Sequence, residues 1–224
     1  ELRKDVKVPL VFMTYANVVF SYGVERFVSE CRESEIDGLI LPDLPFEEKE
    51  EFHPLCKQYG IELISMVAPT SEKRIAMIAR KAEGFIYIVS SLGVTGMRQE
   101  IKTDLSSIVK AVRENTKIPC AVGFGISTPQ QAKKMAEYAD GVIVGSAIIK
   151  LLEQYGENAP QHIGAYVREI KKRPLKTQRT HGFCPATRRM VNSVMKDRGF
   201  HSCLFSSLSA PYHQWNRKLL CGSL

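Results

Sequence analysis

Gly123-Phe124-Gly125-Ile126-Ser127 and Val144-Gly145-Ser146-Ala147 are the two stretches of this chain whose reading decides the fold. Each follows a short apolar run, residues 119–122 and 141–144, and each leads into a helical pattern. Glycine lets backbone N–H groups approach an anion with no Cβ in the way. The helix opening at Ala147 adds unpaired N–H donors and the positive end of a macrodipole. A third turn, Gly93-Val94-Thr95-Gly96, follows the run 85–89. A single glycine after a strand is usually just a turn. Three such turns in register within one array favour a phosphate site.

Outward from these turns, apolar runs alternate with amphipathic stretches. Candidate strands are residues 9–14, 38–41, 62–67, 85–89, 119–122 and 141–144, near-continuous apolar runs of the kind buried on both faces of a parallel sheet. Candidate helices cover residues 24–34, 46–59, 72–81, 105–114, 129–138, 147–155 and 159–172. Ser71 and Thr128 stand as N-caps, and Pro129 takes the first position of its helix. This alternation specifies an α/β fold with parallel strands. The six β/α units fit a doubly wound sheet as they stand, or a (β/α)8 barrel lacking two units. In such barrels phosphate is commonly held by the loops after the last two strands and a short extra helix. The first two glycine turns occupy those places.

Composition sets the outer limits. The chain has 224 residues, 44% of them hydrophobic and 25% charged, and is long enough for one α/β domain. It has no apolar run of membrane-spanning length and no apolar leader at its start, so we expect a cytoplasmic protein. The absence of an initiator Met points to a start inside a longer chain. The six cysteines show no CxxC spacing, which favours reduced thiols over a disulfide or zinc framework, and no metal site is expected. The net charge of +7 is unevenly spread: residues 173–224 hold nine Lys/Arg against the single acid Asp197, and the rest is close to neutral. That basic tail shows no sustained period and reads as a separate stretch, disordered or poorly packed. Its aromatics, among them Phe200, Tyr212 and Trp215, carry no nucleic-acid module signature. Nucleic-acid binding is therefore disfavoured.

Five segments carry a resemblance. Pro9-Leu-Val-Phe-Met-Thr-Tyr-Ala-Asn17, Asp37-Gly-Leu-Ile-Leu-Pro-Asp-Leu-Pro45, Ser91-Leu-Gly-Val-Thr-Gly96, Gly123-Phe-Gly-Ile126 and Gly145-Ser-Ala-Ile148 resemble the tryptophan synthase α chain family in order and spacing, over about residues 8–172. The resemblance implies a (β/α)8 barrel that cleaves indole-3-glycerol phosphate to indole and glyceraldehyde 3-phosphate by a retro-aldol reaction. It implies an α2β2 assembly in which pyridoxal phosphate belongs to the β subunit, with no cofactor on this chain. It assigns phosphate contacts to Gly96, Phe124, Gly125, Gly145 and Ser146, and the indole pocket to Met13, Ile40 and Tyr87. Thr95 belongs to a mobile loop that closes over substrate, and Asp43, Leu44 and Pro45 face the β subunit. Without the resemblance, Tyr87 reads as a core aromatic, Asp43 as a turn cap and Ser146 as an N-cap.

The chain departs from the family at its front. The retro-aldol step needs a carboxylate to move protons, and the family supplies a glutamate and an aspartate from a segment that precedes the strand matching residues 9–14. No acid of this chain matches either position. The expectation is a partial barrel over residues 1–172, with the first two units and both catalytic carboxylates missing and no lyase activity in the chain alone. Such an open barrel should expose the edges of residues 9–14 and 141–144 to aggregation or to a partner.

Overall fold

The computed structural model describes residues 6, 8–89, 105–123, 125–171 and 202–204. Its strands are β1 (Val11–Met13), β2 (Gly38–Ile40), β3 (Glu62–Leu63), β4 (Ser65–Val67), β5 (Ile86–Val89), β6 (Cys120–Gly123), β7 (Gly141–Val144) and β8 (Ser202–Leu204). Its helices are α1 (Ala16–Tyr22), α2 (Val24–Glu33), α3 (His53–Tyr59), α4 (Glu72–Arg80), α5 (Leu105–Asn115), α6 (Pro129–Met135), α7 (Ser146–Tyr155) and α8 (Ala159–Lys171). All strand pairs are parallel, in the orders β1-β2-β3 and β4-β5-β6-β7-β8. Only Ile64 separates β3 from β4, and its amide still donates to the Leu39 carbonyl at 2.9 Å. The strands therefore form one continuous arc.

Alternation along the strands sorts the core into two layers. Ile40, Ile64, Phe85, Tyr87, Ala121 and Ile143, all on the strands or directly beside them, form an inner cluster. The opposite faces, with Leu39, Leu63, Ile86, Ile88, Val122, Val142 and Val144, pack under the helices. Helix α4 shows the logic in small: Ile75, Ile78 and Ala79 are buried one turn apart, and the Ser71 hydroxyl accepts from the Arg74 amide.

At the N-terminal ends of the strands, acids act as staples. Asp37, just before β2, accepts the Leu10 amide at 2.9 Å. Asp140, just before β7, accepts the Cys120 amide at 3.0 Å and is held by Arg113. Each carboxylate thus satisfies an amide at the start of the preceding strand, which would otherwise lack a ladder partner. Lys49 is buried between a 3-10 segment (Phe46–Glu51) and the sheet, where its Nζ donates to the Lys81 carbonyl at 3.3 Å.

Three expectations are corrected. Residues 46–59 are not one helix: α3 begins only at His53, because Pro54 lacks an N–H and its ring would clash with the carbonyl four residues back. Helix α1 was not anticipated at all. The edge of residues 141–144, expected to be open, is covered by β8, which pairs Val142 with Ser202 and Val144 with Leu204. Strand β8 lies within the basic stretch 173–224. Deleting residues 202–224 should speed amide exchange in β7 and promote self-association in sedimentation velocity. Unchanged exchange would show that β8 does not protect that edge.

The buried thiols make stability fall in alkali. Burial pushes Cys31 up to about 11, and Cys56 and Cys120 up to about 12. Above about pH 8.5 the unfolded chain releases thiol protons that the folded chain keeps. Stability should therefore drop by about 1.4 kcal/mol per pH unit for each thiol until the folded values are reached. Lys49 opposes this, since desolvation lowers its pKa and the unfolded chain binds the extra proton just below its ordinary value. Three thiols against one lysine leave a net fall. Denaturant melts between pH 8 and 11 check it, and Cys120→Ala should flatten the slope.

Candidate phosphate and substrate site

Parallel pairing of Val122 with Val142 makes β6 and β7 run the same way, so their following turns emerge side by side at the C-terminal end of the arc. After β6, Gly125 adopts φ +79, a left-handed conformation that favours glycine. The turn then closes into α6 through a capping box: the Thr128 hydroxyl accepts from the Gln131 amide, and the Gln131 side chain accepts from the Thr128 amide. Gln131 Oε1 also accepts from the Ser127 amide at 2.9 Å and from the Ser127 hydroxyl at 3.2 Å. From α8, the Tyr166 hydroxyl donates to the Ser127 carbonyl at 3.0 Å. Sequence reading passed over Gln131 and Tyr166. The Thr128-to-Gln131 spacing could have signalled the first; nothing local could have signalled the second.

After β7, Gly145 leads directly into α7. Its carbonyl accepts from the Ile148 and Ile149 amides at 2.9 and 3.2 Å. Among the described residues no side chain caps the start of this helix, so the amides at its first turn face outward by helix geometry. Gly145 and Ser146 are half-buried and Ala147 is buried. The arrangement can receive an anion between the α7 terminus and the Gly125–Ile126 backbone.

The inner face below these turns brings Met13, Ile40 and Tyr87 into one apolar cluster. Tyr87 is 5% exposed, and burial pushes its phenol up to about 12, so it stays protonated. Its ring lies against Gly123. A Cβ at Gly123 would fall 2.6 Å from the Tyr87 Cζ and still nearer the hydroxyl. Gly123 is thus required by packing against Tyr87. Sequence reading had counted it only as part of an anion-binding turn.

Asp43 stands at the same end, in the loop after β2, and its Oδ1 accepts the Ala16 amide at 2.8 Å. It caps the start of α1 from another loop. Leu44 is half-buried against the outer core, and Pro42, Asp43 and Pro45 are exposed. Thr95, Gly96 and Phe124 lie outside the described residues. Among the described residues no group of three or more His, Cys, Asp or Glu side chains is placed to hold a metal ion. A groove lined by Val109, Arg113 and Tyr138 opens on the outer helical face, where Arg113 is bound to Asp140, and takes no part in the strand-end site.

A parallel β/α arc with glycine turns at two adjacent strand ends belongs to the class of (β/α)8-type barrels. The family model for the tryptophan synthase alpha chain matches residues 1–178, including the first six residues of the stretch read above as a separate tail. The tryptophan synthase alpha chain of Lacticaseibacillus casei is 46% identical over 169 residues, 75% of this chain and 64% of that protein. The Campylobacter jejuni tryptophan synthase subunit alpha superposes with a TM-score of 0.66 at 39% identity, covering 75% of this chain and 67% of that one. A Pyrococcus furiosus chain, from a structure on mutual activation of the tryptophan synthase α2β2 complex, gives a TM-score of 0.67 at 30% identity over 75% of this chain and 68% of that one. This chain belongs to the tryptophan synthase alpha chain family. Its fold is part of that family's barrel, and it spans just under two thirds of the length of the L. casei relative.

The Tyr87–Gly123 contact gives a double-mutant test. Gly123→Ala should cost roughly 1–3 kcal/mol in denaturant melts, because the added methyl overpacks the inner face. In a Tyr87→Leu background the same change should cost less than about 1 kcal/mol. Strictly additive costs would contradict the contact.

Proposed function

We propose that this chain carries the phosphate-holding part of an indole-3-glycerol-phosphate lyase, the α reaction of tryptophan synthesis. The observation that carries the reading is the adjacency of the Gly125 turn and the open α7 terminus above the inner cluster of Met13, Ile40 and Tyr87. The phosphate sits on the backbone of Gly96, Phe124, Gly125, Gly145 and Ser146, with the Ser146 hydroxyl beside it. The indole ring lies against Met13, Ile40 and Tyr87, and Thr95 closes over the site. Asp43, Leu44 and Pro45 form part of the face that docks on a β subunit. Pyridoxal phosphate belongs to that partner, and the two act in the cytoplasm, in keeping with the free thiols Cys31, Cys56 and Cys120.

These 224 residues alone hold the ester without cleaving it. A retro-aldol cleavage needs a carboxylate that takes and returns protons beside the bond being broken. Asp37, Glu62 and Asp140 stand at the N-terminal ends of strands, opposite the glycine turns, where Asp37 and Asp140 staple neighbouring amides. Asp43 is at the correct end but is engaged by the Ala16 amide. That engagement also favours a second reading, a non-catalytic remnant that binds a phosphate ester or docks on a β subunit.

Calorimetric titration of the full chain with glycerol 3-phosphate should show saturable binding, lost in Gly145→Asp. That change places a negative charge at the α7 terminus while leaving a good N-cap residue for the helix. Incubation with indole-3-glycerol phosphate should release no indole. Absence of binding contradicts the phosphate reading, and indole release contradicts the inactivity.

A further inference from the structure

Tyr166 lies on α8, far in sequence from the turn it reaches. Its hydroxyl donates to the Ser127 carbonyl at 3.0 Å, and burial pushes its phenol up to about 12, so the donor proton is retained. Its ring packs against the core cluster that contains Ile126, Ala147 and Ile148. Helix α8 itself packs on both α6 and α7. Tyr166 therefore belongs to a helix that packs on both of the helices opening from the two glycine turns.

The hydrogen bonds around Ser127 say what this contact controls. The Ser127 amide, the Ser127 hydroxyl and the Thr128 amide all go to Gln131 Oε1. With Tyr166 on the Ser127 carbonyl, both peptide planes flanking Ser127 are held, one by α6 alone and one by α6 and α8 together. Those two amides are spent on Gln131 and cannot serve an anion. The donors this turn can still offer are upstream, at Gly125 and Ile126, and their direction follows from the planes locked after them. A ligand gripped by several fixed dipoles loses affinity when one wall of the grip drifts.

We propose that Tyr166 is a positioning residue of the phosphate turn. By tying the Ser127 carbonyl to α8, it holds the Gly125 and Ile126 amides at a set distance from the first turn of α7. The proposal rests on the phosphate reading given above and adds to it a residue outside the segments that carry the family resemblance.

Tyr166→Phe removes the hydroxyl and keeps the ring, so the packing against the core cluster is preserved. In the full chain this variant should bind glycerol 3-phosphate about three- to tenfold more weakly, the effect of one lost neutral hydrogen bond. Amide exchange at Gly125–Thr128 should quicken without ligand, while exchange in β6 and the middle of α7 stays the same. A contact that only stabilises the fold would lower the melting temperature and leave the affinity untouched. Equal affinity in Tyr166→Phe and the parent chain overturns the positioning role while the phosphate reading stands. Weaker binding with unchanged exchange in the turn also overturns it. Failure of the parent chain to bind glycerol 3-phosphate overturns the phosphate reading, and the role of Tyr166 falls with it.

Discussion

The register between β6 and β7 is the constraint on which the rest of the molecule depends. Pairing Ala121 with Gly141 and Val122 with Val142 sets which side chains face inward and where both chains leave the sheet. Ala121 and Ile143 then join Tyr87 on the inner face, while Val122 and Val142 go under the helices. A slip by one residue would invert every one of these assignments. It would also shift the Gly125 turn along the sheet relative to the start of α7.

Polarity along the strands divides stability from chemistry. At the N-terminal ends, Asp37 and Asp140 complete the ladder by accepting the amides of Leu10 and Cys120. At the C-terminal ends, glycines and an uncapped helix leave donors pointing outward. Barrels of this kind keep their reactive groups at the second end, and the described acids of the strand starts are on the first. Asp43 is the exception in position, yet its carboxylate supports α1.

Much of this was legible in the sequence, and what was missed was non-local. The strand positions followed from apolar runs, and Ser71 and Thr128 were recognisable caps whose partners lie three residues on. Helix α1 escaped because its cap comes from Asp43, 27 residues away, and its own sequence of β-branched and aromatic residues gives no start signal. Pro54 marked the break before α3, but the apolar stripe of Phe52 and Cys56 runs through it and suggested one helix. The β8 pairing joins residues sixty apart with no alternation to announce it. At Gly123 a demand for glycine comes from Tyr87, on the neighbouring strand, which no local pattern announces.

Among the described residues the arc ends at β1 on one side and at β8 on the other, and on β1 Phe12 is 45% exposed although it faces the helical layer. The most direct test of the central claim is amide NMR of the full chain as glycerol 3-phosphate is added. The largest shifts should fall on Gly125, Ile126, Ser146 and Ala147, from both turns at once. Shifts confined to one turn, or centred on the Arg113 groove of the outer face, would contradict a cradle built by the β6–β7 register.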